Sequence, residues 1–392
     1  MAFSTSSGVL DGHVPFNTNI RVPHETVYDM RERLPLCMGV FAIMALSNAI
    51  VPVLPLYGEG TIAQGAIFSA YFLGAFLFVL PSGVLSDRIG ELPVIRAGLI
   101  LTTATGLMLA VFESGTAVFS IRLVEGFGAG LFVPAALSLL NSRPDHEKMS
   151  GIFMAMLNVG LVGGLIGTGW LVRASGIPDA GILLFTGIST IPLALGLFMP
   201  RRELLARVSE REEIADILQR LFRVLKDYFW LWVAAILMIG TTGALTAIYP
   251  EFTSYSPDII GIHIAAMNIS TAVAVFLVSR VHFQPIPAIR GSALLMAVAV
   301  IVTFFTPWTL IVIGALAGVI MIAQLAFLAE AEARQGVVMG LFNTASYGGM
   351  TLLPFIAGLV AETLTFFAAF VVVALCSLLV AATIGTCRCH RA

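Results

Sequence analysis

Apolar runs of about twenty residues recur twelve times along the chain, separated by short stretches that hold most of its charge. They lie near 34–57, 65–86, 93–112, 116–140, 150–173, 178–199, 229–250, 259–281, 288–306, 308–329, 337–361 and 364–385. A helix rises about 1.5 Å per residue, so each run can cross a hydrocarbon core of roughly 30 Å. The pattern predicts an all-α integral membrane protein with twelve transmembrane helices. Composition agrees: 58% of residues are hydrophobic and 11% charged, with a mean hydropathy of +0.96. That is more apolar surface than a soluble core can hide, so the bilayer must serve as solvent and a cell-membrane location is expected.

An internal duplication groups the runs into two six-helix halves. Pro93-Val94-Ile95-Arg96 recurs as Pro287-Ala288-Ile289-Arg290, and Gly151-Ile152-Phe153 as Gly340-Leu341-Phe342; Gly160 then meets Gly349, and Gly169 meets Gly358. The expected organisation is a disordered tail over 1–31, a first half over 32–200, a linker over 201–228, a second half over 229–386 and a tail over 387–392. In the linker, Ser209 and Glu212 can form a capping box that places Ile214, Ile217, Leu218, Leu221 and Leu225 on one helical face. Such a helix suits the inner membrane surface, held by apolar burial and anionic lipid, or the protein's own cytoplasmic face.

Charge sets the orientation. Of 21 Lys and Arg residues, nineteen fall on the side that holds both termini and the linker, leaving Arg173 on the other side and Arg122 within a run. Positive loops stay inside, so both termini are expected in the cytoplasm. A net charge of −2 and the lack of a basic, aromatic-rich stripe argue against a nucleic-acid partner. The first 31 residues lack a basic segment leading into a short apolar stretch, so no cleaved signal peptide is expected. Cys387, Cys389 and His390 form a tail cluster one ligand short of a tetrahedral site, and neither a metal nor a cofactor is expected.

Between the second and third runs stands Gly83-Val84-Leu85-Ser86-Asp87-Arg88-Ile89-Gly90, two charges and turn residues read as a short cytoplasmic hinge. Two charges also lie within the fourth run: Arg122 and Glu125, spaced i, i+3 so that they face the same way and can pair. Charge at membrane depth costs enough to suggest function.

The hinge resembles the first signature loop of the major facilitator superfamily, G-x-L-[AS]-D-[RK]-x-G-[RK]-[RK], with Glu91 and Leu92 in place of the final basic pair. The fourth run resembles the same superfamily's R-x-x-Q-G motif, with Glu125 where Gln is usual. Gly151, Gly160, Gly164 and Gly169 resemble the glycine-rich signature of its proton-coupled antiporters, though Leu165 replaces the proline, and Asn48 to Pro55 is similar to the first helix of its twelve-span drug carriers. The resemblance implies parallel halves around a mid-membrane substrate site, a conformational switch at Gly83, Asp87, Arg88 and Gly90, close helix packing at the four glycines, and a cavity lined by spans 1, 4, 7 and 10. Asn48, Arg122, Glu125, Thr241 and Gln324 would then contact the substrate or couple its movement to protons.

The expected function is secondary active transport of a small organic molecule by proton-coupled efflux, with an uptake symporter or facilitator as the alternative. The loops are too short for a sensor domain, and no His stands near a span centre to serve an enzyme, so an enzymatic role is not expected. A monomer among membrane lipids, binding a small molecule and protons, is the expected working unit.

Overall fold

A computed structural model describes residues 24–141, 146–199, 225–281, 283–329 and 335–386. Helix α1 (His24–Ala49) is followed by a 3-10 segment (Val51–Leu56), α2 (Gly60–Ile89), α3 (Glu91–Leu109), α4 (Gly115–Asn141), α5 (His146–Ser175) and α6 (Ala180–Leu197). The second half holds α7 (Phe229–Phe252), α8 (Pro257–Val278), α9 (Pro285–Thr303), α10 (Thr309–Ala329), α11 (Gln335–Thr363) and α12 (Phe366–Thr383). All twelve are long and apolar enough to span a membrane, and the described residues contain no strand. Helices suit this setting because each satisfies its own backbone polar groups without water. The linker segment with Ser209 and Glu212, and the tail with Cys387, Cys389 and His390, lie outside the described residues.

Two local expectations are corrected. Helix α1 starts at His24, inside the stretch expected as a disordered tail, because charged residues extend a helix without adding the hydropathy that marks a span. The hinge is not a loop: α2 stays helical through Ile89, and Gly90 alone separates it from α3. At φ 87°, ψ 158°, Gly90 occupies a region that residues with a Cβ rarely enter, so this one glycine provides the whole break. Pro52 and Pro55 lie in the 3-10 segment that follows α1.

Glycines set the packing, and the duplication repeats contact by contact. In α5, a Cβ at Gly160 would lie 2.5 Å from the Phe41 carbonyl oxygen of α1; in α11, Gly349 abuts the Ile236 carbonyl of α7. Gly126 of α4 abuts the Tyr71 carbonyl of α2, as Gly314 of α10 abuts Met267 of α8. The seams between the halves repeat as well. A Cβ at Gly65 of α2 would sit 2.7 Å from the Pro354 carbonyl oxygen of α11, and one at Gly261 of α8 would sit 2.5 Å from the Leu165 carbonyl oxygen of α5. Pro354 and Leu165 are equivalent positions of the two halves. Small residues let these helices approach to backbone contact, which the bilayer, itself apolar, would not otherwise favour.

Candidate functional site

Helix α4 is pressed against α2 by Gly126, and this brings Arg122 under Tyr71. The guanidinium carbon lies 4.7 Å from the Tyr71 ring centre. One guanidinium nitrogen donates to Glu125 Oε2 at 2.7 Å, and another donates to the Ser47 backbone oxygen of α1 at 3.0 Å. Arg122 is 1% exposed and Glu125 is fully buried. Two buried polar atoms of the pair, Arg122 Nε and Glu125 Oε1, have no hydrogen-bond partner among the described residues. The pair is therefore neutralised but not fully satisfied, and one carboxylate oxygen is left to accept a proton or a ligand donor while the other stays on Arg122.

The remaining cavity candidates are buried but do not join this cluster. Asn48 donates to the Leu161 carbonyl of α5 at 3.3 Å, tying α1 to α5. Thr241 donates to Leu237 of its own helix, as buried hydroxyls in spans commonly do. Gln324 of α10 is fully buried, and neither its amide nitrogen nor its oxygen has a partner among the described residues. No hydrogen bond or ion pair joins Thr241 or Gln324 to Arg122 or Glu125 there. At the hinge, Arg88 is exposed beside a cavity of about 350 Å³ lined by Phe78, Pro81 and Leu131. The Asp87 side chain lies outside the described residues.

The seams behave differently at their two ends. The odd-loop face carries the α1/α2, α3/α4, α5/α6, α7/α8, α9/α10 and α11/α12 connections; the even-loop face carries the others. At the odd-loop end, four polar ties cross between the halves. Thr61 donates to the Gly358 carbonyl at 2.8 Å, the Ile62 backbone N–H to Glu362 at 2.7 Å, the Gln64 amide to Glu251 at 2.7 Å, and Arg173 to Asp258 at 2.5 Å. Glu362 thus caps the N-terminus of a helix in the other half, where helix-end N–H groups favour a carboxylate. Gly60, at φ 81°, makes room for it: a Cβ there would meet the Glu362 carboxylate oxygen at 2.6 Å.

At the even-loop end the glycines on the same helix faces meet nothing among the described residues. Gly65, Gly169 and Gly358 each make a seam contact, and eighteen residues away on the same helices stand Gly83, Gly151 and Gly340. Eighteen residues are five turns, so each pair shares one helix face. Gly83, Gly151 and Gly340 have no described atom within 4 Å of a Cβ position. Gly151 is therefore not a packing contact in this conformation, whereas Gly160, Gly164 and Gly169 are. Gln64, Glu251 and Glu362 escaped sequence reasoning because each is an ordinary polar residue near a helix end. Only the excess of acid over base on that face hints at them.

The Major Facilitator Superfamily model matches residues 36–345. Among curated relatives, the quinolone resistance protein NorA of Staphylococcus aureus is 28% identical over 134 residues, 32% of this chain and 34% of the relative. The multi-drug resistance efflux pump PmrA of Streptococcus pneumoniae is 33% identical over 170 residues, 41% of this chain and 40% of the relative. The chain thus aligns with well under half the length of either. Solved structures add likeness of fold. A bacterial homologue of the human lysosomal transporter Spinster, inward-facing and unoccupied, gives a TM-score of 0.75 at 15% identity, covering 93% of this chain and 97% of that one. A point mutant of the nucleoside transporter NupG gives 0.74 at 15% identity, covering 91% and 100%. Twelve apolar spanning helices in two repeated halves, with a family match over most of their length, make this chain a multi-pass membrane protein of the major facilitator superfamily.

Proposed function

We propose that the protein is a secondary active transporter of the plasma membrane that exports a small organic molecule by alternating access, driven by protons that Glu125 carries. The observation that carries this reading is the buried Arg122–Glu125 pair with one oxygen unused. In the ionised state Arg122 balances the carboxylate. A proton arriving on Oε1 releases Arg122 from that role, and the change of charge at the centre of the first half biases which face of the molecule closes. Asn48, Thr241 and Gln324 line the substrate path, and the unpartnered Gln324 amide awaits a polar group of the substrate.

The orientation follows from the basic residues: the odd-loop face is external and both termini are cytoplasmic. The conformation is then inward-facing, latched outside by Gln64, Glu251 and Glu362 and parted inside along Gly83, Gly151 and Gly340. Efflux is favoured by the likeness to NorA and PmrA, whose names describe drug resistance and efflux. Binding, a change of face and release make up the whole cycle, with no bond made or broken in the substrate. The test is reconstitution in liposomes with an imposed pH gradient and a panel of dyes and small metabolites. Accumulation of at least one compound that collapses with the gradient supports the proposal; transport indifferent to the gradient overturns the coupling.

A further inference from the structure

The odd-loop face contains a groove whose lining includes none of Asn48, Arg122, Glu125, Thr241 and Gln324. It lies between the outer ends of α2 and α4, holds about 720 Å³, and is floored by Ala63, Ala66 and Ile67. Tyr57 and Phe119 stand in its walls, and Glu59 and Glu113 on its rim. Both carboxylates are exposed, and neither makes a hydrogen bond or ion pair among the described residues. Tyr57 is fixed by donating its hydroxyl to Asp179. Burial, followed by that hydrogen bond, pushes its phenol well above the ordinary range, so the ring stays neutral.

The charge of the surroundings selects the occupant. The odd-loop face carries Glu59, Glu113, Asp179, Glu251, Asp258 and Glu362, against Arg173 as its one Lys or Arg among the described residues, and Arg173 is engaged by Asp258. An anion is repelled. A metal ion finds no group of three ligating side chains among the described residues. A groove of this size suits a drug-sized molecule; its apolar floor calls for apolar bulk, while two unpaired carboxylates and two aromatic faces call for positive charge.

We infer that the α2/α4 groove is a peripheral binding site for a monovalent amphipathic organic cation, which sets its apolar body on Ala63, Ala66 and Ile67 and its charge between Glu59 and Glu113. The site stands apart from the Arg122–Glu125 centre and does not rest on the transport reading.

The test is equilibrium binding of tetraphenylphosphonium to the full-length protein in nanodiscs of zwitterionic lipid, beside neutral triphenylphosphine oxide. The Glu59→Gln/Glu113→Gln double variant should weaken binding of the cation about tenfold, the effect expected of losing two surface charges, and leave the neutral compound unchanged. Ala66→Phe, which fills the floor, should abolish the same binding, and Glu125→Gln should preserve it. The inference is overturned if wild type does not bind the cation, if both groove variants bind it as wild type does, if the neutral compound binds there as tightly, or if the loss follows Glu125→Gln instead.

Discussion

The two ends of the seams are built from one helix surface and are in opposite states. At the odd-loop end, Gly65, Gly169 and Gly358 hold α2 to α11 and α5 to α8 at backbone distance; five turns away Gly83, Gly151 and Gly340 touch nothing among the described residues. Small residues in an unpacked stretch serve no purpose in this conformation. The proposed alternating access explains them, by a second conformation in which the even-loop end closes and needs the same close approach. On that proposal, both closed states are written into one face of three of the four seam helices, α2, α5 and α11.

The largest effect is expected from bulk at the open end. A Cβ at Gly151 or Gly340 meets no described atom, so in Gly151→Leu with Gly340→Leu expression and thermal stability should stay near wild type while transport falls to background, because the second closed state is blocked. Full activity in that variant would show that these faces never meet. The latches should respond next. With the native cysteines replaced, a Thr241→Cys reporter should label from outside about tenfold faster when Gln64→Ala and Glu362→Ala remove buried or helix-capping ties. Arg173→Ala should change the rate about twofold at most, since its side chain is 64% exposed and exposed pairs contribute little. Equal effects would mean that the two seams are latched alike. The smallest effect is local to α10: Gln324→Leu removes an unsatisfied buried amide and should stabilise the protein by about 1 kcal/mol in thermal unfolding. It should also raise KM about threefold, a loss of roughly 0.6 kcal/mol. A stability loss would reveal a partner for that amide.

The halves differ in chemistry as the seam ends differ in state. By the glycine register that matches Gly126 to Gly314, Arg122 and Glu125 correspond to Leu310 and Ile313, both buried and apolar. The repeated architecture needs no charge at that place. The first half carries the pair for another reason, and the sequence made that visible because charge inside an apolar run is conspicuous. Spans were legible for the same cause. Partners of the pair were less so: Ser47 contributes its backbone oxygen, which no residue type announces. Gly151 was grouped with Gly160 and Gly169 by spacing, but spacing along a helix does not say whether the facing helix is near in a given state. The hinge was read as a loop because of its charges and turn residues, while a helix running past the membrane surface tolerates both and ends only where Gly90 forces it.

The account turns on Glu125 as the proton carrier, and the most direct measurement compares wild type, Glu125→Gln and Arg122→Ala in liposomes, each assayed for gradient-driven accumulation and for downhill exchange of one substrate. Glu125→Gln should lose accumulation and keep exchange, because Gln holds the shape and charge of the protonated carboxyl while the titrating group is gone. Arg122→Ala should lose both, since an unpartnered buried carboxylate costs about 3–5 kcal/mol. Proton-driven accumulation by Glu125→Gln at the wild-type level would contradict the account.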